Sequence, residues 1–109
     1  MLSCVHEPND VVPTVSFQKD IQPILKSSCA LNSSCHSGAT NKGDNMNFDS
    51  SAAYTTISTK GLVKTDNATA SLLYVELASG IMPKAPNSLL SSSQILLFKY
   101  WIQQGAQNN

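Results

Sequence analysis

The stretch from residue 30 to residue 49 constrains this chain more than any other. It is rich in Ser, Asn, Gly and Asp and holds few apolar anchors. With neither helical nor alternating apolar periodicity, it reads as a loop of about 20 residues, a length that small domains reserve for function or for wrapping around something. A second loop, residues 81–90, carries Pro83 and Pro86, which enforce an extended path. Loops thus take nearly half of a 109-residue chain. A chain of this length makes one compact domain that buries roughly two-thirds of its unfolded surface. With so few helix faces left to build a core, a disulfide, a metal or a large cofactor is expected to fill the middle.

Composition narrows the partners. Apolar residues are 41% and charged residues only 13%, about half the usual share. The seven cations are all Lys and are balanced by seven carboxylates, with a pI of about 6.7. No strong basic field exists for nucleic acid or for an anionic membrane surface. Ser, Thr and Asn supply 32 residues, which suits an exported, uncharged surface. The apolar content is too high for a disordered tail. No apolar run approaches the roughly 18 residues a membrane span needs.

The remaining segments read as helices, with no internal repeat and no strand, so the fold class is all-α with three to five helices and long loops. Phe17, Ile21, Ile24 and Leu25 share one face of a helix over residues 17–29, with Ser16 as N-cap and Lys19 and Asp20 in its first turn. Pro23 would cost this helix a hydrogen bond unless it begins near Asp20. A weak helix over residues 50–58 carries Ala52, Ala53, Tyr54 and Ile57 and is broken by Lys60 and Gly61. Residues 69–79 form another, capped by Thr69 or Asn67 and ended by Gly80. The clearest helix follows Ser91, which forms a capping-box pattern with Gln94. It carries Ile95, Phe98 and Ile102, with Leu96, Tyr100 and Trp101 on the flank, and Gly105 stops it.

The chemistry concentrates at Cys29, Cys35 and His36. Cys-x-x-Cys-His is the attachment site of c-type haem, where two thiols add to the vinyl groups and the adjacent His lies beneath the iron. Here five residues separate the cysteines, so Cys29 must reach its vinyl group through a bulged loop, with Asn32, Ser33 and Ser34 supplying turn chemistry. Two other readings stand beside this one: a disulfide closing a small ring, and a zinc site that lacks a fourth ligand. Met82, 46 residues after His36 and next to Pro83, is a candidate second axial ligand, since a Met sulfur opposite a His raises the potential of an electron-transfer haem. It is otherwise a core methionine in a loop. Met46 competes for the same role, but only ten residues separate it from His36, a short path to the opposite haem face.

Taken together, the chain resembles a monohaem c-type cytochrome domain, of a bacterial subfamily with widely spaced haem cysteines. The matching residues are Val15 through Leu25, Cys29 through Gly38, Ser71 through Tyr74, Met82 with Pro83, and Trp101 through Ala106. The resemblance covers residues 15–106. It implies a cytochrome c-like fold over residues 15–109, one covalent haem c on Cys29 and Cys35, and His36 and Met82 as axial iron ligands. It further implies electron transfer to a redox protein partner, no enzymatic activity, a monomer, and a periplasmic or cell-surface location. An aromatic on the terminal helix is expected against Phe17 or Ile21, and one of Tyr54, Tyr74, Tyr100 and Trp101 against a haem propionate. Lys60, Lys64 and Lys84 are candidates to guide an acidic partner. Single attachment through Cys35 stays open.

Residues 1–14 read as a leader and tether. Met1 to Cys4 resemble the end of a bacterial lipoprotein signal, so a lipidated Cys4 and a membrane tether are one expectation, and a free thiol in a loose leader is the other. Two further functions compete with electron transfer: a haem-based sensor or small-gas binder, in which Met82 leaves the iron, and a haem-free surface module stapled by Cys29 and Cys35.

Overall fold

The computed structural model describes residues 13–32, 35–38, 40, 41, 45–83 and 87–109. These residues are helical, with no strand among them, and no described helix is long and apolar enough to cross a membrane. The tether expected over residues 1–14, with Cys4, falls outside the described residues except for Pro13 and Thr14.

Ser16 opens the first helical segment as its sequence position predicts. Its Oγ accepts the Lys19 N–H at 3.1 Å, and the Asp20 carboxylate accepts the Ser16 N–H at 2.8 Å. The first turn, Phe17–Ile21, is π-helical and runs directly into α1, Gln22–Ser28. Pro23 accounts for the change of winding. It has no N–H for the Lys19 carbonyl, and in α geometry its ring would press on that oxygen. The Ile21 and Gln22 N–H groups bond five residues back, to Ser16 O at 3.3 Å and to Phe17 O, which widens the turn where the conflict lies. The expected helix is therefore present, but as two windings joined at Pro23.

Three more helices follow. α2 is Ala53–Thr59, starting later than residue 50. A 3-10 turn, Ala68–Ala70, precedes α3, Leu72–Ala78. The cap of α3 differs from expectation. Thr69 lies within the 3-10 turn and Ser71 is the N-cap residue, although its hydroxyl does not cap the helix. Fully buried, it accepts the Lys64 N–H at 2.7 Å and so ties the segment after α2 to the start of α3. α4 is Ser92–Gln103. Its capping box is complete: Ser91 Oγ accepts the Gln94 N–H at 3.1 Å and Gln94 Oε1 accepts the Ser91 N–H at 2.9 Å.

α4 packs on the π turn through an aromatic layer. The Phe17 and Trp101 rings lie 5.3 Å apart, and Tyr54 of α2 meets Phe17 edge-on at 5.2 Å. Ile21, Leu25, Phe98 and Ile102 are fully buried around them. The expected contact between the terminal helix and Phe17 is made, with Trp101 as the aromatic. Beyond α4, Gly105 at φ +104° and Ala106 at φ +50° turn the chain back. The tail then meets the start of the domain. Gln104 Oε1 accepts the Val15 N–H at 2.8 Å, Asn109 Oδ1 accepts the Phe17 N–H at 2.8 Å, and Asn109 O accepts the Ser16 hydroxyl at 2.6 Å. These bonds supply acceptors to the main chain where the first helical segment begins, where helices leave N–H groups without internal partners.

Candidate functional site

α1 delivers Cys29 at its C-terminal end, where the Cys29 and Ala30 N–H groups both bond Leu25 O, at 2.9 and 2.8 Å. From there the chain makes a side excursion and returns. The Cys35 N–H bonds Asn32 O at 2.9 Å, and the His36 N–H bonds Cys29 O at 3.1 Å. This closure brings His36 back to Cys29, at the end of α1, despite the six residues between them. Cys29 and Cys35 are free thiols. Burial pushes the Cys29 thiol up to about 11, and the neighbouring Cys35 adds to the rise.

His36 is buried, and its Nδ1 lies 3.0 Å from the Met46 carbonyl oxygen. A carbonyl only accepts, so in this bond Nδ1 carries the proton, and in the neutral ring Nε2 then carries the lone pair. The Phe48 ring packs against the imidazole at 4.9 Å. Behind the ring, the loop is held by its own polar groups. The Phe48 N–H bonds His36 O at 2.7 Å. The Asp49 carboxylate accepts the Ser37 hydroxyl at 2.8 Å and the Gly38 N–H at 2.9 Å. Asn47 O accepts the Thr56 hydroxyl at 2.6 Å, which fastens the loop to α2. Asn41 Nδ2 donates to Gly38 O at 2.9 Å and to Met46 O at 3.1 Å.

Met82 stands apart. Gly80, at φ +77°, reverses the chain after α3, and the Met82 N–H bonds back to Glu76 O at 3.0 Å. Met82 is half-buried and Pro83 buried, while Lys84 and Pro86 fall outside the described residues. No hydrogen bond or ring contact among the described residues joins Met82 to Cys29, Cys35 or His36. The structure thus brings three of the four expected site residues together and presents the fourth on a separate turn. Met46 is placed on the Nδ1 side of the imidazole by its own carbonyl, and its side chain packs against the core.

A covalently attached haem would draw on two free thiols, Cys29 and Cys35, and on the imidazole of His36, whose main-chain N–H is tied to Cys29 O. Among the described residues no group of three or more His, Cys, Asp or Glu is placed to hold a metal ion by itself. Gln22, seven residues before Cys29 and so on the same face of the helix, is buried with neither amide atom hydrogen-bonded. An unpartnered buried amide costs free energy, so a polar group from outside the chain suits that position. Among the aromatics, the Tyr54 hydroxyl and the Trp101 Nε1 already donate to Ala106 O and Gln107 O, at 2.8 and 2.9 Å, leaving Tyr74 and Tyr100 for any propionate contact. Lys60 and Lys64 are exposed.

Sequence reasoning missed the supports of His36. The Asn and Asp density between residues 41 and 49 signals turns, but no pattern says which carbonyl the imidazole will meet. Compared with known proteins, the chain matches no family, no curated protein and no solved structure.

Proposed function

We propose that the chain is a single-haem electron-transfer domain with a cytochrome c-like fold, acting outside the cytoplasm. The observation that carries this reading is the His36 bond to Met46 O, which leaves Nε2 of the neutral ring as the donor atom, on the residue that directly follows Cys35. A bound haem would supply the redox-active iron, and the chain's part is to attach it, orient it and exclude water. Cys35 is the anchoring thiol, because the adjacent residue is the axial His. Cys29 provides the second attachment across the excursion. Met82 is the distal ligand in this reading, carried by the turn after Gly80, and a thioether there raises the reduction potential. With both axial positions taken, no substrate site is left, so the reading is a carrier and not a catalyst.

The test is expression of the full chain in a cytochrome-maturing host. The intact mass after denaturation should equal the polypeptide plus one haem, and loss of all haem into acidic organic solvent would overturn the assignment. Cys35→Ala should lose far more haem than Cys29→Ala. Met82→Ala should keep the haem, lower the potential and abolish the weak ferric band near ~695 nm that Met ligation gives, while Met46→Ala keeps that band. A high-spin ferrous spectrum in the parent protein would favour gas binding over electron transfer.

A further inference from the structure

The acceptor that fixes His36 is a main-chain carbonyl in a loop, and a carbonyl is aimed only by what holds its peptide. We propose that Asn41 is the positioning residue that aims it. The two hydrogens of one planar amide are shared between two carbonyls: Gly38 O, on the limb leaving His36, at 2.9 Å, and Met46 O, on the returning limb, at 3.1 Å. The second is the oxygen that faces His36 Nδ1 at 3.0 Å. Asn41 therefore staples the two limbs of the loop together at the acceptor itself. Its own N–H is taken by Asn45 Oδ1 at 2.9 Å, and Asn45 adopts a left-handed φ of +58°, which suits an Asn and turns the chain between the limbs.

The consequence falls on the tautomer of His36. With Met46 O held in place, the proton stays on Nδ1 and the lone pair on Nε2, the arrangement an axial ligand needs. Released, the carbonyl turns away and the two tautomers compete. A neutral hydrogen bond of ordinary strength is worth about a tenfold bias in such a ratio. The effect at an iron rests on the function proposed above, whereas the tautomer itself does not.

The experiment therefore has two arms on the full chain. In the haem-free protein with 15N-labelled histidine, long-range proton–nitrogen correlations report the His36 tautomer. Asn41→Leu, which keeps the bulk and removes both donors, should shift the ratio toward Nε2–H by about tenfold, and Asn41→Gln, which still carries a donating amide, should recover part of the shift. In the haem-loaded protein, Asn41→Leu should raise the reduction potential, because a less polarised imidazole is a weaker donor to ferric iron. An unchanged tautomer ratio in Asn41→Leu, with helix content matching the parent, overturns the assignment. So does a haem-loaded variant whose reduction potential equals the parent's. A parent chain that takes up no haem would defeat the functional reading while leaving the tautomer arm to decide the role of Asn41.

Discussion

Trp101 and His36 are both buried rings, and different forces hold them. Trp101 sits among Phe17, Tyr54, Phe98 and Ile102, where apolar contact does most of the positioning and one hydrogen bond to Gln107 O settles the indole N–H. His36 has one aromatic neighbour, Phe48, and one side-chain hydrogen bond, to the Met46 carbonyl, while Asp49 and Asn41 hold the surrounding loop through Ser37, Gly38 and Met46. The first arrangement tolerates small shifts, because dispersion and burial have no direction. The second does not, because a hydrogen bond weakens steeply once it is misaligned. The contrast explains why the segment with the least apolar content carries the candidate chemistry. The ligation proposed for His36 needs an aimed atom, and directional bonds aim it.

Breaking the apolar side should give the largest effect. Trp101→Ala should cost about 3–5 kcal/mol of folding stability, the usual range for deleting a buried large aromatic. A denaturant melt followed by circular dichroism checks this. The comparison is weakened if the loss falls below about 1 kcal/mol, since the aromatic layer would then not be what joins the π turn to α4.

A second, smaller effect separates the two ways of attaching a haem. The folded-state pKa of Cys29 is raised to about 11 from an ordinary 9.0, so the folded chain holds its proton where the unfolded chain releases it. Stability from this group is present below about pH 9 and is lost as pH rises through about 11. The loss should be about 2 kcal/mol in the haem-free chain, after discounting for partial exposure. A Cys29 bonded to haem has no thiol to titrate. Melts between pH 8 and 11 on haem-free and haem-loaded protein therefore report whether both cysteines are attached: the slope survives loading only if Cys35 alone is bonded.

The loop side should respond most locally. Asp49→Ala removes the acceptor of Ser37 and Gly38 and should cost about 1–2 kcal/mol. Hydrogen exchange should speed up at Gly38 while the α4 amides keep their protection. Equal acceleration in α4 would show that loop and core unfold as one unit, and the contrast between them would fail.

The same contrast decides what could be read without coordinates. The Ser91–Gln94 box and the Ser16 cap were legible, because caps are local signals with a fixed spacing, whereas the packing of the terminal helix on Phe17 was expected from the family resemblance. The closeness of Cys29 and His36 was legible from residue types, though the His36 N–H bond to Cys29 O that achieves it was not. Ser71 was missed because its hydroxyl works across to Lys64 and not on the helix it precedes. Met46 was judged by its sulfur, whereas its carbonyl is what touches His36. Main-chain acceptors are the same in every residue and leave no mark in the letters. The π turn was foreshadowed by Pro23, but the choice between a late start and a wider winding depends on Ser16 holding both registers at once.

The bonds between residues 13–18 and 104–109 have a topological consequence. Gln104 and Asn109 lie against Val15, Ser16 and Phe17, so the path of the domain is a nearly closed ring whose opening sits at that seam. Bridging the seam with a short peptide and cutting the ring at an exposed bend such as Lys60 and Gly61 would give a circular permutant. Its connectivity would be new, while the aromatic layer and the surroundings of His36 would stay as they are.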